Sequence, residues 1–213
     1  PRLGLRRGQT LVQRLRRSFE KLAESDFFPG PAKAQAEDAL ASVETKAEEL
    51  YSGGEPRASQ KRIRRLDPAK FQNRIWATRS SPWVDRLASA WLIKRFIDSK
   101  AKFAWIERPR DCPRNAVGFD FDRAEFTHSG NRVTFEVLLA SFGLEHDAAL
   151  VAIGAAVHFL DIGGIPVADA RGLETVLRGA RERARDDDEL LSEAMRIFDL
   201  FYSAYGKERS NRT

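Results

Sequence analysis

The sequence predicts an α+β fold that is predominantly helical: a small sheet of about three short strands packed against a helical body, preceded by a helical hairpin. Three observations lead there. Apolar residues recur at helical spacing through most of the 213 residues, strand-like runs are confined to residues 71–121, and turn formers bound each helical stripe. Hydrophobic side chains make up 42% of the chain, enough to fill one full domain and a smaller appendage.

The elements follow in order. Leu11, Leu15, Phe19 and Leu22 share one face, Arg14, Arg16, Arg17 and Lys21 stand between them, and Asp26-Phe27-Phe28-Pro29-Gly30 closes the stripe. This pattern predicts a basic amphipathic helix. Ala32, Ala36, Ala39, Leu40, Val43, Ala47 and Leu50 form a second stripe that stops at Ser52-Gly53-Gly54, so residues 1–51 read as a helical hairpin. Residues 52–70 are polar, basic and rich in turn formers, which predicts a linker. The main domain is expected over 71–206, with residues 207–213 as a disordered tail.

Within that domain, the aromatic and β-branched residues of 71–78 suit a strand, Ser81 offers a helix N-cap and Pro82 a first helical position. Val84, Leu87, Ala88, Trp91, Leu92 and Phe96 supply the stripe of the helix that follows. Residues 102–107 and 117–121 read as short strands around a loop containing Cys112. Phe135, Leu138, Leu139 and Phe142 mark a helix ended by Gly143, and His146 or Asp147 opens another that runs to about Leu160. Because that second helix is apolar nearly all round, it is expected to be the central, buried one. Two further amphipathic helices are expected over 169–185 and 186–205.

Charge and composition exclude several function classes. No apolar run reaches the roughly 18–20 residues of a membrane-spanning helix, so membrane insertion is not expected. The single cysteine, Cys112, excludes an intramolecular disulfide framework and any zinc site built from several thiolates. It fits a reducing compartment, hence a cytoplasmic protein. Residues 1–70 carry 15 basic against 10 acidic side chains, whereas 71–213 carry 21 of each. A basic segment ahead of a neutral body suits contact with nucleic acid or an acidic partner, and equally an ordinary solvated helical surface. The chain opens at Pro1 without an initiator Met, which predicts a natural start upstream. No Walker-type phosphate loop, dinucleotide fingerprint or G-x-S-x-G elbow occurs.

Two groups of residues could carry chemistry. His158 and Asp161 lie one turn apart on an apolar helix, and a buried carboxylate needs a cation or donors to meet it. His128 and Glu136 flank a short turn upstream. If the four converge, His128, Glu136, His158 and Asp161 make a ligand set suited to Zn, Mn or Fe. The alternative is that His158 bonds a backbone carbonyl while Asp161 pairs with a cation such as Arg171. The second group is the turn Thr78-Arg79-Ser80-Ser81-Pro82, which sets hydroxyls and a guanidinium before a helix N-terminus. Arg79, Ser81 and Arg86 could hold a tetrahedral oxyanion there, and Asp85 could orient an arginine or reach a metal. The alternative is an ordinary cap with both arginines in surface ion pairs. Cys112, beside Pro113 and without a resolving partner, reads as incidental.

Three blocks, WATRSSPWVDRLASAWLIKRFID (Trp76 to Asp98), FDFDRAEFTHSGNRVTFEVLLASFGL (Phe119 to Leu144) and VHFLDIGG (Val157 to Gly164), resemble the C-terminal domain of the bacterial chromate-resistance ChrB family. DFFPG at Asp26 to Gly30 resembles the end of that family's N-terminal region. The resemblance implies a chromate- or oxyanion-responsive regulator or accessory of a chromate efflux system, with chromate or a similar oxyanion as ligand. DNA would be met through the basic N-terminal region of the full-length protein, and a homodimer is compatible with such a role. The family-like blocks contain Arg79, Asp85, Arg86, His128, Glu136, His158 and Asp161. The alternative reading is a metal-dependent redox or hydrolytic detoxification enzyme.

Overall fold

A computed structural model describes residues 63–210, together with Leu15, Ser18, Phe19, Ala36 and Leu40 as helical positions nearer the start. The chain divides into two compact units, Pro1–Glu55 and Pro56–Thr213, and the second contains the whole of the architecture that follows. Most of the expected hairpin lies outside the described residues.

Three strands form a parallel sheet in the order β2-β1-β3: β1 (Ile75–Arg79), β2 (Lys102–Ile106) and β3 (Ala116–Gly118). Parallel neighbours need a long crossover, and α1 (Val84–Leu92), prolonged by the wide turn Ile93–Ile97, supplies the one between β1 and β2. Four more helices complete the domain: α2 (Thr134–Phe142), α3 (Ala148–Asp161), α4 (Ala170–Arg183) and α5 (Asp187–Ser210). The expected class, mostly helical with a small sheet, is what forms. None of the described helices is long and apolar enough to cross a membrane.

Packing follows from alternation in β1. Trp76 turns toward the helices and is fully buried, stacking at an angle on Phe126 and edge-on to Phe119. Ala77 faces the other side, in a small cluster with Ile106 and Phe121. Eight of the nine residues of α1 are buried, and α1 packs against α2, α3 and α5. The central buried helix is thus α1. α3 was the expected candidate, and it does touch α1, α2, α4 and α5, yet Val151 is 46% exposed and Ala155 lies open on its outer side. Its composition misleads because alanines add little apolar area, so exposing them costs little. Gly154 lets it approach α2 closely: a Cβ there would stand 3.3 Å from Phe135 Cε1.

Local details depart from expectation where backbone polar groups find other partners. α1 starts at Val84 with Trp83 in the extended cap position, not at Pro82, because Ser81 takes a left-handed conformation (φ 56°) and the chain runs on before turning. β3 is shorter than expected: after Gly118 the chain bends, and Phe126 closes a bridge to Phe119. α5 continues to Ser210, beyond Tyr205 where its apolar stripe ends. Residues 65 and 66, inside the expected linker, are tied to α2 by Arg65 Nη1 to Ala140 O (2.8 Å) and Leu66 N to Ser141 O (2.7 Å).

Asp98 fastens the crossover. Fully buried at the end of the wide turn, its carboxylate accepts from Asn73 N (2.8 Å), Arg74 N (2.9 Å), Trp76 Nε1 (3.1 Å) and Lys100 N (3.1 Å). Burial alone would raise its pKa, but these donors outweigh it and hold the group below the usual 3.8.

Candidate metal centre at the carboxyl edge of the sheet

Because β1 is central, the chain leaves it for β2 on one side and later returns to β3 on the other. The crevice beyond the carboxyl ends of β1 and β3 is therefore a topological switch point, the place where open parallel sheets bind ligands. The first turn of α1, the segment after β3, the start of α2 and the end of α3 all supply residues to it.

Asp85, in the first turn of α1, is buried and points at the N-terminus of α2. Its oxygens accept from Thr134 N and Phe135 N, each at 2.9 Å. α2 lacks a side-chain cap of its own at Val133, so Asp85 supplies that function from another helix. Asp120, just past β3, adopts φ 55° and turns its carboxylate inward. It accepts from Arg86 Nε and from Thr134 Oγ1, both at 2.8 Å.

His128 stands among these carboxylates. Its Nε2 lies 3.2 Å from Asp85 Oδ2, 3.4 Å from Asp161 Oδ2 and 3.5 Å from Asp120 Oδ1. One N–H cannot serve three carboxylates, and all three separations exceed the about 2.7–2.9 Å of a charge-assisted hydrogen bond. They also match the spacing of donor atoms around a cation, where ligands at about 2.1 Å lie about 3.4 Å apart at tetrahedral angles and about 3.0 Å apart at octahedral ones. Ligand atoms of Asp85, His128 and Asp161 all fall within 4.8 Å of one another.

Electrostatics record the same crowding. Burial pushes the Asp85 carboxyl up, the charge of Asp120 pushes it further, and hydrogen bonding to His128 only partly offsets them. Asp120 moves down: burial is outweighed by His128 and by the Arg86 guanidinium. His128 is pushed up to about 10, since its hydrogen bonds to Asp120 and Asp85 overcome the cost of burying the imidazolium. These shifts favour a protonated His128, and an ion bound through its Nε2 would have to displace that proton.

The four residues expected to converge divide into two pairs. His128 and Asp161 meet, with side chains only 9% and 6% exposed. Glu136 and His158 bond each other, His158 Nδ1 to Glu136 Oε2 at 2.8 Å, and the same oxygen accepts from Val133 N. This pair sits nearer the surface, with side chains about a quarter exposed. Of the residues expected to hold an oxyanion, Arg86 is engaged by Asp120, and the Ser81 N–H donates to Asp187 Oδ2 at 2.9 Å. Arg79 is buried at 7% exposure on β1. Asp120 went unread in the sequence, where it fell inside the strand expected over 117–121; the available signal was an aspartate within that apolar run. Cys112 lies in a partly exposed loop and burial pushes its thiol up, away from the reactive thiolate.

Comparison with known proteins agrees with the resemblance read from the three blocks. Residues 76–205 match the family model described as ChrB, C-terminal domain, and so include every residue of the cluster. Protein ChrB of Cupriavidus metallidurans is 49% identical over 199 residues, which cover 93% of this chain and 61% of that relative. The chain thus spans about 61% of the relative's length. No solved structure matches it. A model match across most of the described domain, joined to nearly half-identity with a curated relative, establishes that the chain belongs to the ChrB family of chromate-resistance proteins.

Proposed function

We propose that this domain is the metal-containing sensory part of a chromate- or oxyanion-responsive regulator or accessory of a chromate efflux system. One observation supports it above all: a single imidazole nitrogen set among three carboxylates at 3.2–3.5 Å. Asp85, His128 and Asp161 would hold the ion, Asp120 and Thr134 would orient them, and the oxygen-rich set suits Mn or Fe more than a thiophilic metal. The cluster is acidic, so a bare oxyanion is repelled and a cation attracted; the oxyanion would approach on the side of Arg86 once the cation is in place. Arg79 and Ser81 belong to the turn that borders this approach. DNA contact and dimer formation are part of the same proposal and would reside in the full-length protein.

A second reading is favoured by the Glu136–His158 pair. A carboxylate that fixes one imidazole nitrogen leaves the other available for proton transfer, as in a metal-dependent hydrolytic or redox enzyme.

The regulatory reading is tested in cells that carry the full-length protein and a reporter for the efflux genes. His128→Ala is expected to reduce the chromate response at least about tenfold, since losing even a residue that only supports a metal ligand costs about 10–100-fold in affinity. Arg108→Ala, which breaks only an exposed pair with Asp111, should leave it intact. A full response in the His128 variant would remove the metal centre from the regulatory role.

A further inference from the structure

Thr78 is fully buried in β1, and its hydroxyl has no hydrogen-bond partner among the described residues. Such a group costs stability, and valine would fill the same volume without that cost. Thr127, the other threonine with an unpaired hydroxyl among the described residues, is only partly buried as a residue and lies outside the strands. Thr134, inside the cluster, spends its hydroxyl on Asp120.

The position of Thr78 suggests what its hydroxyl is kept for. Strand alternation puts it on the Trp76 side of β1, the side the helices cover, at the carboxyl end of the strand. Phe119 N bonds Ala77 O at 2.9 Å, so Thr78 runs beside the exit from β3, and the next residue there is Asp120. The Asp120 carboxylate turns to the same helix-covered side, where it meets Arg86 and Thr134. Thr78 therefore borders the crevice that contains His128.

We propose that Thr78 is a positioning residue for an oxygen ligand on the β1 side of the metal centre: its hydroxyl donates a hydrogen bond to one oxygen of a tetrahedral oxyanion held there. This rests on the metal-centre reading of Asp85, His128 and Asp161. The unpaired hydroxyl is then a ligand contact whose partner arrives with the ion, and the domain gives up some stability to keep it.

Calorimetry on the full chain tests it, with Mn2+ titrated first into wild type, Thr78→Val and Thr78→Ser, and molybdate, a tetrahedral dianion that does not oxidise thiols as chromate does, titrated into the loaded proteins. Thr78→Val should melt at or above the wild-type temperature without metal, and should bind Mn2+ within about threefold of wild type, because an outlying hydrogen bond scarcely affects the ligands themselves. Its molybdate affinity should fall at least about tenfold, the loss of one hydrogen bond to a charged group, and Thr78→Ser should recover most of it. Equal molybdate affinity in wild type and Thr78→Val, a Thr78→Val protein melting well below wild type, or no molybdate uptake by Mn2+-loaded wild type would each overturn the assignment. Failure of wild type to bind Mn2+ at all would instead overturn the metal centre, and the role of Thr78 with it.

Discussion

Asp98→Ala is expected to lower the unfolding free energy by about 2–4 kcal/mol, because the buried Trp76 indole and three part-buried main-chain donors lose one shared acceptor together. Two of them are the main-chain N–H groups of Asn73 and Arg74, which set the entry into β1, and a third is the Trp76 indole in the core. Chemical denaturation of the variant against wild type reads the difference directly. The pH dependence follows from the direction of the shift. With its folded pKa below 3.8, Asp98 contributes stability that is present above that value and lost as pH falls through the folded pKa. Wild type should therefore lose stability on acidification below about pH 4, and Asp98→Asn should flatten that fall. A variant as stable as wild type, or one with the same acid profile, would show that the crossover is held elsewhere.

Asp85→Ala is expected to destabilise by about 2–4 kcal/mol and to abolish metal binding, since it uncaps α2 and removes a ligand at once. Asp85→Asn separates the two effects. It keeps one acceptor oxygen for the Thr134 and Phe135 N–H groups, so the stability loss should stay below about 2 kcal/mol, while metal affinity falls at least about 100-fold for want of the charge. Thermal melts and metal titration of the pair provide the measurements. If Asp85→Asn binds metal as wild type does, Asp85 is a helix cap and nothing more.

Much of the fold was legible because the helices announce themselves by period and punctuation. Asp147 caps α3 and Gly143 ends α2 in the left-handed conformation (φ 77°), as their residue types suggest. What failed was local competition. Ser81-Pro82 has the composition of a helix start, yet the Ser81 N–H is taken by Asp187 from 106 residues away, and Trp83 becomes the cap. No sequence window contains that contact. The expectation that α3 is the buried helix failed for a related reason: apolarity all round marks burial only when the side chains are large, and α3 is rich in alanine.

The candidate site was half legible. His158 and Asp161 drew attention as polar residues on an apolar helix, and His128 as one of three histidines, because buried ionisable groups need partners. Their pairing could not be read. Glu136 occupies both His158 Nδ1 and Val133 N locally, whereas the partners of His128 come from α1, the β3 exit and the end of α3. Asp120 gains its place only through the strand order, which brings β3 beside β1 and so sets the residue after β3 facing the first turn of α1.

The most direct measurement is the metal content of wild-type protein purified without chelator, followed by Mn2+ titration of wild type and His128→Ala. A centre built on Asp85, His128 and Asp161 predicts uptake approaching one equivalent per chain in wild type and little in the variant. Less than about a tenth of an equivalent of any transition metal in wild type, with no uptake on addition, would contradict the metal centre and leave these side chains as a hydrogen-bonded packing cluster.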